Sequence, residues 1–247
     1  MPDTLAALLL AHVLADFVFQ SGWMVANKRR AKGLAAHGAV VLACAVATTG
    51  QITLSLLWLT ALHLAVDAVK ARIGRGLSGF LADQAAHLLA LAALALWQPW
   101  LFAQGLWGDV PPLPGVMAAL AGFLLATRAG GFAIGLLMSP FAAKLASLAS
   151  GGDPVTAESL PGAGRIIGLL ERGLIFGLIL LGQPEGVGLL MAAKSILRFG
   201  AVKDDRALSE YVIIGTLASF GWAMLTGYGT VALMNLLAPL GISSATP

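Results

Sequence analysis

A chain of 247 residues would suit one large soluble domain, but 58% hydrophobic and only 11% charged residues, with a mean hydropathy of +0.87, mark the lipid bilayer as its solvent. Its single cysteine, Cys44, excludes an internal disulfide and a cysteine-based zinc knuckle, and leaves the redox compartment unreadable. The net charge of +3 sits in short stretches between apolar runs, which fits orientation in a membrane and argues against a nucleic-acid partner.

In chain order, apolar runs cover 5–26, 34–49, 52–69, 83–102, 116–138, 166–181, 187–197 and 211–237. No Lys or Arg precedes the first run, which contains His12 and Asp16, so it reads as a first span and not as a cleaved signal peptide. Long unbroken apolar runs exclude the alternation of a barrel, so the expected fold is an all-α polytopic bundle of about eight membrane segments. The second, sixth and seventh runs are shorter than the roughly 20 residues of a full span and are expected to extend through their flanks, break or re-enter. The run 187–197 is the least secure.

Lys28, Arg29, Arg30 and Lys32 follow the first run, Lys70, Arg72 and Arg75 the third, Lys144 the fifth, and Lys203 and Arg206 the seventh. The alternate connections, around Gln51, Asp109 and Glu185, contain no Lys or Arg. The positive-inside rule then makes the basic side cytoplasmic and puts both termini outside. Phe141, Leu145 and Leu148 recur at helical spacing beside Lys144, as in an interfacial helix, and Gly151-Gly152-Asp153-Pro154 reads as a loop. The expected organisation is a His/Asp-bearing half at 1–138, an interfacial and cytoplasmic connection at 139–162, and a Glu/Arg/Lys-bearing half at 163–247 that ends in a short disordered tail from 241.

All four histidines lie in the first half. His12/Asp16, His63/Asp67 and Asp83/His87 are each four residues apart, so each pair stacks on one helix face. Counting about 1.5 Å per residue puts these six, with His37 and Gln20, at one cytoplasm-facing level. Neutral imidazole with carboxylate suits zinc, manganese or non-haem iron, and His12, Asp16, His37, His63, Asp67, Asp83 and His87 are enough for one or two ions. The same pairs also have plain structural uses: Asp orienting His in a core pair, Asp83 capping the fourth helix, Lys70 snorkelling to the interface.

The second half places Arg128, Arg165, Glu171, Arg172, Lys194, Arg198 and Glu210 in apolar context. With Gln20 and Lys70, the cations Arg128, Arg165, Arg172, Lys194 and Arg198 are candidates to bind an anionic substrate; equally, they could neutralise buried carboxylates as ion pairs.

The string His12-x3-Asp16-Phe17-x2-Gln20 with Trp23 and Lys28, His37, His63-x3-Asp67-x2-Lys70 and Asp83-Gln84-x2-His87 resembles the N-terminal domain of an uncharacterised bacterial integral-membrane family. Glu171-Arg172, Ala193-Lys194-Ser195-x2-Arg198-Phe199 and Glu210-Tyr211-x3-Gly215-Thr216 resemble the C-terminal part of its longer members. That family implies a multi-pass protein of the bacterial inner membrane and no activity. A more distant similarity is to membrane-bound metal-dependent hydrolases.

No nucleotide-binding or nucleophile-elbow pattern occurs, and no His follows His87 as a rhomboid-like protease would need. The leading expectation is a metal-dependent hydrolase acting on an anionic, lipid-like substrate among membrane lipids, with an imidazole or a carboxylate such as Asp16 or Glu171 moving the proton. A transporter or channel for a metal ion, proton or small anion, and a non-catalytic membrane protein whose buried charges only specify packing, are the alternatives.

Overall fold

A computed structural model describes residues 1–73, 76–149, 162–199 and 206–239. Gly151-Gly152-Asp153-Pro154, Arg75, Lys203 and the expected tail from 241 lie outside the described residues. Among those described, every regular element is helical: α1 (Pro2–Phe17), α2 (Gly22–Ala26), α3 (Ala31–Thr49), α4 (Leu54–Ile73), α5 (Leu77–Trp97), α6 (Leu113–Leu124), a π-helical turn (Leu125–Ala129), α7 (Gly130–Ala149), α8 (Ala163–Leu180), α9 (Glu185–Phe199) and α10 (Arg206–Met234).

The expectation of about eight spanning segments needs correction. All eight apolar runs contain helix, but among the described residues four helical stretches are long and apolar enough to cross a membrane: Ala31–Thr49, Leu77–Trp97, Leu113–Leu145 and Arg206–Met234. The 16 residues of α1 and 15 of α9 rise only about 22–24 Å at 1.5 Å each, short of a core of about 30 Å. In α8, Arg165, Glu171 and Arg172 interrupt the apolar run. The first run, moreover, is not one helix. It breaks at Val18–Ser21, where Val18 and Phe19 close back onto the Leu14 carbonyl at 3.1 and 2.8 Å and the Ser21 hydroxyl accepts the Met24 amide to start α2. The segment read as an interfacial helix from 140 is the continuation of α7, with Pro140 inside it.

The chain forms two compact units, Met1–Leu124 with Thr230–Pro247, and Leu125–Gly229. In unit 1, α1 is the central rod. Between Thr4 and His12 it is apolar all round, and Ala6, Ala7, Leu8, Val13 and Ala15 are fully buried, as a helix surrounded by protein should be. It packs on α3, α5 and α6. One end of the unit is tied by polar links: Thr4 Oγ1 donates to the Pro99 carbonyl and accepts the Phe102 amide, Gln51 donates to Leu101, and Trp107 to Ala47. Gly50, at φ +67°, ends α3 there in the left-handed region and its carbonyl accepts the Leu106 amide. At the other end, Gly33 abuts the chain entering α3, since a Cβ there would sit 2.3 Å from the Asn27 carbonyl oxygen. That contact holds down the turn carrying Lys28.

In unit 2 the π-helical turn widens the backbone ladder and frees carbonyls for side-chain donors. Trp222 Nε1 donates to Leu125 O at 2.9 Å and Arg172 Nη2 to Thr127 O at 3.1 Å. Gly130 makes room for both, because a Cβ there would lie 2.7 Å from Trp222 and 3.1 Å from Arg172.

Candidate metal centre

The end of unit 1 opposite Thr4 and Gly50 gathers the close of α1, the start of α3, the close of α4 and the start of α5. Because these helices alternate in direction, His12/Asp16, His37, His63/Asp67 and Asp83/His87 arrive at one level, as their positions in the sequence imply. The four-residue pairs face each other on their helices: His12 Nδ1 to Asp16 Oδ2 at 3.9 Å, His63 Nε2 to Asp67 Oδ2 at 3.9 Å, and His87 Nε2 to Asp83 Oδ1 at 3.5 Å. His37, Asp67 and His87 are at most 2% exposed. The four rings form one stack-like group, with centroids 4.0 Å apart for His63/His87, 5.0 Å for His12/His87 and 5.2 Å for His37/His63.

One knot is tighter than hydrogen bonding explains. His37 Nε2 lies 3.1 Å from His63 Nε2, 3.3 Å from Asp16 Oδ1 and 3.2 Å from Asp67 Oδ2, while His63 Nε2 lies 3.2 Å from Asp16 Oδ1. An imidazole nitrogen carries one proton or one lone pair and cannot serve all these neighbours. Bonds of about 2.0–2.1 Å to one tetrahedral ion would space its ligands about 3.3 Å apart, which is the spacing seen.

Outer contacts aim the carboxylates. Lys28 donates to Asp67 Oδ1 at 2.9 Å and Lys70 pairs with Asp83 Oδ2, so the other oxygen of each aspartate is left facing the cluster. Gln84 donates through its amide to Asp83 Oδ2 at 3.1 Å, so its carbonyl oxygen is what meets His12 Nε2 at 3.2 Å. That contact puts the His12 proton on Nε2 and leaves Nδ1 a free lone pair. The side-chain amide nitrogen of Gln20, released from helix by the break after α1, lies over the His37 ring, 3.1 Å from Nε2 and 3.2 Å from Nδ1, so a ligand role for Nε2 requires that amide to turn aside. Inside this frame His12 Nδ1, Asp16 Oδ1, Asp67 Oδ2, Asp83 Oδ1 and His87 Nε2 are buried with no hydrogen-bond partner. Three overlapping sets, Asp16/His37/His63, His12/His63/His87 and Asp67/Asp83/His87, could each hold a metal ion, with ligand atoms within 4.8 Å of one another.

Two of the structural uses weighed from the sequence do not hold. Asp83 is no N-cap, since α5 starts at Leu77 behind Gly76. Lys70 does not simply snorkel, because Asp83 holds its ammonium group. Lys28 and Gln84 are the contributors that residue-type reasoning did not assign; both sit in the motif strings, but Lys28 also reads as an orientation charge and Gln84 as a spacer.

The remaining predicted residues belong to unit 2. Glu171 accepts from Lys194 at 2.6 Å. Arg172 is buried and donates to Ser219 Oγ at 3.2 Å as well as to Thr127 O. Arg128 and Arg165 are exposed, and Arg198 lies on α9 with its side chain outside the described residues.

No curated protein and no solved structure matches the chain. A family model does match, over residues 4–105, a stretch that includes all seven His and Asp of the cluster together with Lys28, Lys70 and Gln84. The cluster thus lies within the stretch that is similar to the family described as Protein of unknown function (DUF3307).

Proposed function

We propose that the chain is a multi-pass membrane protein whose His/Asp cluster holds divalent metal and hydrolyses an ester of an anionic, lipid-like substrate. The observation that carries this reading is the set of five buried, partnerless ligand atoms converging on one place. Divalent metal satisfies imidazole lone pairs and carboxylate oxygens together, and it lowers the pKa of bound water to about 7.

The substrate class rests on a cavity of about 330 Å³ between α4 and α5, lined by apolar Val66, Val69, Ala82 and Ala86 together with Lys70 and Asp83. An apolar slot leading to an ammonium group beside the cluster suits an acyl chain with an anionic head. In the step itself, water oxygen bonds to the phosphorus or acyl carbon and its proton passes to the free Nδ1 of His12. The ester oxygen then leaves and takes that proton back from His12, while Asp16 Oδ2 faces the imidazolium in between. Exposed Trp97 and Trp100 at one end of unit 1 and Trp23 at the cluster's end fit the aromatic belts of a membrane protein. The basic residues at the cluster's end favour the cytoplasmic side.

The test is to incubate metal-loaded and chelator-stripped protein in nanodiscs of mixed anionic phospholipids and follow released phosphate, headgroup or fatty acid by mass spectrometry. Release that needs metal and is lost in His63→Ala supports the reading. Intact lipids with loaded protein, or transport of a labelled ion across proteoliposomes in place of hydrolysis, overturns it.

A further inference from the structure

The tight knot uses only part of the cluster. With an ion held by His37 Nε2, His63 Nε2, Asp16 Oδ1 and Asp67 Oδ2, two of the five partnerless atoms are satisfied. His12 Nδ1, Asp83 Oδ1 and His87 Nε2 are not. Asp83 and His87 form, with Asp67, a second set that shares no residue with the set Asp16/His37/His63.

We infer that the cluster is a two-ion centre: a closed site made by Asp16, His37, His63 and Asp67, and an open site made by Asp67, Asp83 and His87. This rests on the metal reading above and divides it into two roles. Four protein ligands fill a tetrahedral shell, which is the mark of a structural ion; three leave a position for water or substrate, the mark of a catalytic one. The open set has the right surroundings for that task. Asp83 lines the cavity between α4 and α5, as does Lys70 beside it. The free lone pair of His12 belongs to a ligand set with His87, so a proton acceptor stands next to the open position. Asp67 serves both sets, so the ions would lie about 3.5–4 Å apart, the separation of two-metal hydrolytic sites.

Charge sets the order of filling. Three carboxylates against Lys28 and Lys70 leave one net negative charge with neutral imidazoles. A first divalent ion reverses that sign and a second leaves the centre strongly positive, so the second ion binds more weakly and calls for an anion. That is a property wanted at a site for anionic substrate, and it makes inorganic phosphate a probe of the open site alone.

The experiment is a cobalt(II) titration of the full chain in nanodiscs after chelation, with bound metal counted by elemental analysis and the ligand field read from visible absorption. Two equivalents per chain are expected in the wild type, the first at least about tenfold tighter, with phosphate tightening only the second. His87→Ala should keep one equivalent with the four-coordinate spectrum. Asp83→Asn asks the same if His87→Ala loses its helix content by circular dichroism. Saturation at one equivalent in the wild type, or two equivalents retained in both variants, overturns the two-ion centre and leaves the metal reading standing. Saturation at none overturns both.

Discussion

Both units bury charge, but among the described residues unit 2 leaves one buried charged atom unpaired, Arg172 Nε, where unit 1 leaves five imidazole and carboxylate atoms. In unit 2 Glu171 and Lys194 close on each other at 2.6 Å, and Arg172 spends two of its nitrogens on Ser219 and Thr127. In unit 1 the lysines take only the outer oxygens of Asp67 and Asp83, and five inner ligand atoms remain without partners. A charge set that mostly satisfies itself holds helices together. On the metal reading, the set in unit 1 is completed by a bound ion. The difference separates the two uses of intramembrane polar residues better than residue type does, since both units carry acidic and basic groups in apolar context.

The comparison can be broken most forcefully at His63, which belongs to two of the three ligand sets. His63→Ala should weaken metal binding by at least about 100-fold, measured by dialysis against a metal buffer, because it removes a direct ligand where outer contacts alone are worth 10–100-fold. Lys28→Met tests the outer shell. It frees Asp67 Oδ1, and a loss of about 10–100-fold in affinity is expected with the helix content unchanged. Unchanged affinity would mean that Lys28 only marks the membrane side.

The opposite behaviour is expected from unit 2. Arg172→Met should lower stability by about 1–3 kcal/mol, seen as a lower thermal midpoint, because it strips buried hydrogen-bond donors while leaving metal content as in the wild type. Glu171→Gln should have the smallest effect, about 1 kcal/mol, because its pair with Lys194 is partly open to its surroundings. Loss of metal in either variant would show that unit 2 is no self-contained packing device.

How much of this the sequence made legible follows from periodicity. His and Asp four apart must share a helix face, and alternating helices must return to one level, so the members of the cluster could be named before any coordinates. What could not be read is where helices stop. The break at Val18–Ser21 lies inside an apolar run, and hydropathy does not register Ser21 capping a new helix or Gln20 turning towards His37. α5 starts at Leu77, six residues ahead of Asp83, so Asp83 faces the cluster from within the helix and does not cap it. Among the described residues four stretches are long and apolar enough to span, fewer than the eight expected, because the first run divides between α1 and α2, α9 is short and α8 carries charge. The π-helical turn has no sequence signature at all. Lys28 was hidden by a sound rule, since a lysine after a span explains itself as an orientation charge until Asp67 is seen against it.

The most direct measurement of the central claim is the thermal midpoint of the purified, metal-counted protein before and after exhaustive chelation. An ion that satisfies the buried ligand atoms at 1,000 times its dissociation constant contributes about 4 kcal/mol, so the loaded protein should carry stoichiometric transition metal and melt well above the stripped form. A folded protein that carries no metal as purified, takes none up on reconstitution, and melts at the same temperature with and without chelator would contradict it.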